Sequence, residues 1–67
     1  SMRPLVAMFR SALKDFCDDD YILPTGDPVA IAVASIIAAK NNRDKVNFLR
    51  FDRQTRQYIK IQVNGYE

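Results

Sequence analysis

Phe51 and Tyr58 stand among Arg50, Arg53, Arg56 and Lys60 in the last third of the chain, so aromatic rings and cations share one short stretch. Single-stranded nucleic-acid platforms use that combination: bases stack on the rings while Lys and Arg neutralise phosphates. The same side chains, with Leu49, also make an apolar surface edged by positive charge that a protein partner could cover. Two aromatics can equally form an ordinary cross-strand pair. No ribonucleoprotein-type motif accompanies them.

The turn chemistry decides how these residues are arranged. Lys45 to Asn64 alternates and is rich in β-branched and aromatic residues, which predicts a hairpin. Asp52 to Gln57 reads as a type I turn with Asp first, then a residue that needs positive φ, which falls on Arg56. On that register Phe51 lies opposite Tyr58, Leu49 opposite Lys60 and Asn47 opposite Gln62. The other face then carries Val46, Phe48, Ile59, Ile61 and Val63, with Arg50 near the turn. A one-residue slip would mix the two faces, whereas this assignment leaves one cleanly apolar.

The net charge of +2 hides an asymmetry. Residues 1–39 sum to −2, while residues 40–67 sum to +4 through Lys40, Arg43, Lys45, Arg50, Arg53, Arg56 and Lys60. A basic hairpin beside a helix end can meet a phosphate backbone as a wing does in winged-helix proteins, with Lys40, Arg43 and Lys45 as further phosphate contacts. Lys and Arg also protect an exposed sheet edge from aggregation.

Other chemistry has little to work with. Asp15 and Asp18-Asp19-Asp20 cluster, but the alternating ligands of a calcium loop are missing. They read as a solvated helix end or an acidic contact for a basic partner, and no metal is expected. With no histidine there is no zinc finger of the usual kind and no histidine-based triad. Cys17 follows an apolar helix face and is expected as buried filler rather than as a nucleophile. Gly26 and Gly65 make no phosphate loop. The expectation is a non-enzyme with no cofactor and no small-molecule substrate.

Two helices must hold the hairpin. From Pro4 to about Cys17, Leu5, Met8, Phe9, Ala12, Leu13 and Phe16 form one helical stripe. Pro4 suits the first turn, and the three aspartates oppose the negative end of the helix dipole, so the helix should stop there. Tyr21-Ile22-Leu23 is held extended by Pro24. Thr25-Gly26-Asp27-Pro28 supplies a turn, an N-cap Asp and a Pro at the first helical position.

The second helix, Pro28 to about Asn42, has no polar face in its first three turns. Val29, Val33, Ile36 and Ile37 form a bulky arc, and the rest is small, with Ala30, Ala34 and Ala38 at four-residue spacing. A helix apolar all round should be buried all round. One other helix and a hairpin barely enclose it, so the packing predicts a homodimer seam along Ala30, Ala34 and Ala38.

Composition fits this scale. A chain of 67 residues, 48% apolar and 27% charged, is globular rather than disordered, and its whole length, 1–67, reads as a single domain. Ser1 ahead of Met2 reads as the scar of a cleaved tag. Apart from Ser35, Val29 to Ala39 is the longest apolar run, against the roughly 20 residues a membrane span needs. One unpaired cysteine fits a reducing compartment, and a cytoplasmic location is expected.

The sequence thus predicts an α+β fold, two helices followed by an antiparallel β-hairpin with a short extended piece between the helices. The leading functional expectation is a small nucleic-acid-binding module using Arg53, Arg56, Tyr58, Lys60 and Phe51. The alternative is a protein–protein interaction module (a regulator, an inhibitor or a small subunit of a complex) docking through the Leu49, Phe51 and Tyr58 face.

Overall fold

The first helix, α1, spans Arg3–Ala12 in the computed structural model, which describes residues 1–66. It ends about five residues before the expected Cys17. A side chain from elsewhere in the fold caps this end: Asn41 donates through Nδ2 to the Leu13 carbonyl at 2.9 Å, satisfying a terminal group that has no intrahelical partner. The chain then turns, with Phe16 N–H donating to the same carbonyl at 3.0 Å, and Phe16 is delivered into the core. The covered stripe is also narrower than the apolar one. Leu5, Val6, Phe9 and Leu13 are half-buried, whereas Met8 and Ala12 are exposed. Cys17, expected as buried filler, is exposed because Phe16 takes the inward position.

Ile22 joins the sheet by a single parallel bridge to Phe48. Its N–H donates to the Asn47 carbonyl and its carbonyl accepts from the Leu49 N–H, both at 2.9 Å. Gly26, at φ 106°, turns the chain into the second helix. This helix, α2, spans Pro28–Asn41, and Asp27 caps it as expected by accepting from the Val29 N–H at 3.3 Å. Ser35 satisfies its hydroxyl on the Ile31 carbonyl at 2.7 Å, so it adds no unpaired polar group to an apolar helix.

At the end of α2 the chain closes with the 6→1 bond typical of a left-handed C-cap. Asp44 N–H donates to the Ala39 carbonyl at 2.8 Å, with Arg43 at φ 54° where glycine is usual. The strands β1 (Lys45–Asp52) and β2 (Gln57–Asn64) follow, paired antiparallel in the expected register: Phe51 faces Tyr58, Leu49 faces Lys60 and Asn47 faces Gln62. This order of two helices and a hairpin is the α+β fold read from the sequence.

Helix α2 stands between the other elements, packing on α1 from one side and on β1 from the other. The core is Phe16, Ala38 and Val46, with Leu13, Ile22, Ala39 and Phe48 against it. This corrects the expected dimer seam. Ala38 is 0% exposed, Ala34 is buried and Ala30 half-buried, all within one chain. Their small side chains let the chain's own elements approach the helix closely, and the large apolar residues of α2 left exposed are Val29 and Ile36 instead.

The helices cover only part of the sheet. Neither helix packs against strand β2, so Val46 is buried while Ile59 and Val63, on the same predicted apolar face, are 39% and 48% exposed. The molecule is correspondingly long, 38 × 25 × 19 Å, with a radius of gyration of 12.5 Å. A compact chain of this length would have about 11 Å.

Candidate partner-binding face

The outward face of the hairpin is built around Phe51 and Tyr58. Their rings meet edge to face, with centroids 5.3 Å apart and planes at 66°, while remaining 48% and 58% exposed. The pair therefore presents one shared apolar surface. Leu49 continues it toward the base of the hairpin, and Lys60, opposite Leu49, places its Nζ 5.6 Å from the centre of the Tyr21 ring.

Tyr21 and Leu23 belong to this face, which the sequence reading missed. Both are exposed. The signal was available in strand alternation: if Ile22 points toward the core beside Phe48, its two neighbours must point the other way. Leu23, Pro24 and Thr25 form one wall of a hollow of about 290 Å³ whose other lining includes Leu49, Phe51 and Tyr58, with Arg50 and Arg53 at its margin.

The hairpin tip holds its arginines outward. Asp52 turns its carboxylate into its own turn, accepting from the Gln54 N–H at 3.0 Å and the Thr55 hydroxyl at 3.1 Å. Its carbonyl accepts from the Arg56 N–H at 2.8 Å. Arg56 adopts φ 58°, the left-handed conformation read from the turn sequence. Arg53 and Arg56 are both exposed.

The remaining basic residues lie elsewhere. Lys45 opens β1 and Arg53 follows its end, so Lys40, Arg43 and Lys45 sit at the opposite end of the hairpin, about 26 Å from the tip at strand rise. Lys45 is half-buried there and its carbonyl accepts from Asn42 Nδ2 at 3.0 Å. The structure thus brings Leu49, Phe51, Tyr58, Lys60, Arg53 and Arg56 together, and leaves Lys40, Arg43 and Lys45 as a separate group.

Two of the clustered aspartates make structural contacts. Asp18 Oδ1 accepts from Asn42 Nδ2, and Asp20 Oδ2 accepts from the Cys17 N–H, both at 2.9 Å. Among the described residues no three His, Cys, Asp or Glu side chains are placed to hold a metal ion.

The family model described as phage Pam3 gp32-like protein matches residues 1–65. This chain belongs to the phage Pam3 gp32-like family. The match takes in α1, the Ile22 bridge, α2 and the whole hairpin, so every side chain of the aromatic face falls within the family's span. No curated protein and no solved structure matches this family member.

Proposed function

We propose that this member of the phage Pam3 gp32-like family is a non-catalytic protein-interaction module that binds its partner on the face formed by Tyr21, Leu23, Leu49, Phe51 and Tyr58. The observation that carries the reading is the exposure of Leu23, Phe51 and Tyr58 around one hollow floored by the half-buried Leu49, with the exposed Tyr21 beside it. Exposed apolar patches rimmed by polar groups mark interaction sites, and Tyr and Arg are the side chains that dominate interface energetics. Arg53, Arg56 and Lys60 border the face, while Asp52, the one acid at the tip, is turned into its own loop. The complementary partner therefore offers an apolar side chain to the hollow with carboxylates around it.

A photo-crosslinking residue at Tyr58 in phage-producing cells tests this. One protein other than this chain itself captured at Tyr58, and lost with Phe51→Ala, supports the reading. Capture unchanged by Phe51→Ala counts against it.

The tip favours nucleic acid as a second reading, because Arg53 and Arg56 project beside an exposed Tyr58. In that case affinity for a single-stranded oligonucleotide should fall steeply between about 50 and 200 mM salt. Arg53→Ala with Arg56→Ala should then flatten the salt slope. Such behaviour, without protein capture at Tyr58, would replace the first reading with the second. The edge-to-face pairing of Phe51 with Tyr58 weighs toward protein, since it gives one continuous apolar surface rather than two parallel faces for bases.

A further inference from the structure

Strand β2 is the free edge of the sheet: β1 lies on one side of it and, among the described residues, no strand lies on the other. Such an edge presents unpaired N–H and C=O groups and is a template for another strand. The usual protections are weak here. The strand is eight residues long, has no proline, and carries one charge, Lys60. Its inner-face residues Ile59 and Val63 are exposed and Ile61 is half-buried.

We propose that β2 pairs antiparallel with β2 of a second copy of this chain, with Ile61 on the two-fold axis. The area argues for a partner of this kind. The chain exposes 5320 Å². A compact monomer of 7.7 kDa exposes about 4,300 Å². The excess of roughly 1,000 Å² is comparable to the roughly 800 Å² that each partner buries in a standard interface.

Self-pairing also selects its own register. Centred on Ile61, Ile59 lies opposite the partner's Val63, Ile61 opposite its own copy, and Lys60 opposite the partner's Gln62. The inner face then gains a continuous apolar stripe, and no like charges meet. Centring on Lys60 sets two ammonium groups directly opposite each other, which is destabilising. Centring between residues places Ile61 against Lys60 and Ile59 against Gln62, mixing the faces. Centring on Gln62 leaves Ile59 facing Gly65. Only the Ile61 register matches apolar with apolar along the strand.

This contact uses the edge and inner face of β2; it reaches the candidate face only at Tyr58, which falls opposite the partner's Asn64, so a second copy captured at Tyr58 reports this pairing, any other protein reports the partner reading, and either can fail alone. Sedimentation velocity over a wide concentration range should show a reversible dimer. Ile59→Lys, at an exposed position, should raise the dissociation constant about tenfold or more while circular dichroism stays unchanged. Register is read by cross-linking in a Cys17→Ser background. Ile61→Cys should form a disulfide-linked dimer on mild oxidation, because directly opposed Cβ atoms lie about 5 Å apart. Val63→Cys should not, since its two copies would be about 13 Å apart.

A chain that remains monomeric throughout overturns the proposal. So does a dimer that Ile59→Lys leaves intact, or one that cross-links through Val63→Cys in preference to Ile61→Cys. If Ile61→Cys fails to fold, the Ile59→Lys result decides.

Discussion

Asn47 donates through Nδ2 to the main-chain carbonyl of Asp18 at 2.6 Å, tying the loop after α1 to the inner strand of the sheet. Asn47 is 7% exposed, so its amide has little access to water. The Asp18 carboxylate in turn accepts from Asn42, which is also buried and bonds the Lys45 carbonyl. The loop after α1 is thereby joined by side-chain amides to both the end of α2 and the start of β1. In a chain with so few buried apolar side chains, these bonds carry an unusual share of the specificity.

The first prediction concerns that tie. Asn47→Ala leaves the Asp18 carbonyl without its donor and should lower stability by about 1–3 kcal/mol. For a domain of this size each kcal/mol is roughly 4–8 °C in melting temperature. Gln62→Ala, directly across the hairpin but exposed, should stay within about 0.5 kcal/mol of the parent. Thermal melts of the two variants check this, and equal losses would show that the amide bond is not what matters.

Arg56 offers a gain rather than a loss. A left-handed conformation disfavours a side chain by about 1–2 kcal/mol, and glycine avoids that penalty at the expense of some unfolded-state entropy. Arg56→Gly should therefore stabilise the fold by up to about 1 kcal/mol, and Arg56→Val should destabilise it. If Arg56 also contacts the partner, the glycine variant should melt higher yet bind more weakly. Melting and partner affinity measured together separate the two effects.

Ala38 tests where the small residues of α2 belong. Completely buried against Phe16 and Val46, it has no room for added methylenes. Ala38→Leu should destabilise the single chain by about 1–3 kcal/mol through overpacking. Ala32→Leu, at an exposed position of the same helix, should be nearly neutral. Chemical denaturation resolves the difference, and similar stability for both would place Ala38 outside the core.

The hairpin was legible in the sequence because local rules act strongly there. Asp52 and the left-handed position at Arg56 define the turn, and the turn fixes every pair from Phe51–Tyr58 to Lys45–Asn64. Asp27 before Pro28 marked the start of α2 for the same reason. What stayed hidden depends on contacts between distant segments. The end of α1 is capped by Asn41, 28 residues on from Leu13, and no periodicity announces that contact. The burial of Ala34 and Ala38 within one chain, and the exposure of Ile59 and Val63, follow from where α2 crosses the sheet. On the candidate face, Leu49, Phe51, Tyr58 and Lys60 followed from the register, while Tyr21 and Leu23 joined only through the tertiary bridge at Ile22.

The aromatic pair provides the sharpest separation of fold from function. Phe51 and Tyr58 are each about half exposed, so truncating either forfeits only part of its burial along with their mutual contact. A double-mutant cycle on stability should give a coupling of about 0.5–1.5 kcal/mol, near the lower end because the rings face water. Each single alanine variant should remain folded, with the hairpin register intact by NMR. Binding should respond differently, since a ring that is the centre of an interface typically contributes more than about 2 kcal/mol when a partner covers it. Phe51→Ala should therefore weaken partner affinity by far more than it lowers stability. A loss of binding that merely tracks the loss of stability across Phe51→Ala, Tyr58→Ala and the double variant would reduce the pair to a hairpin staple.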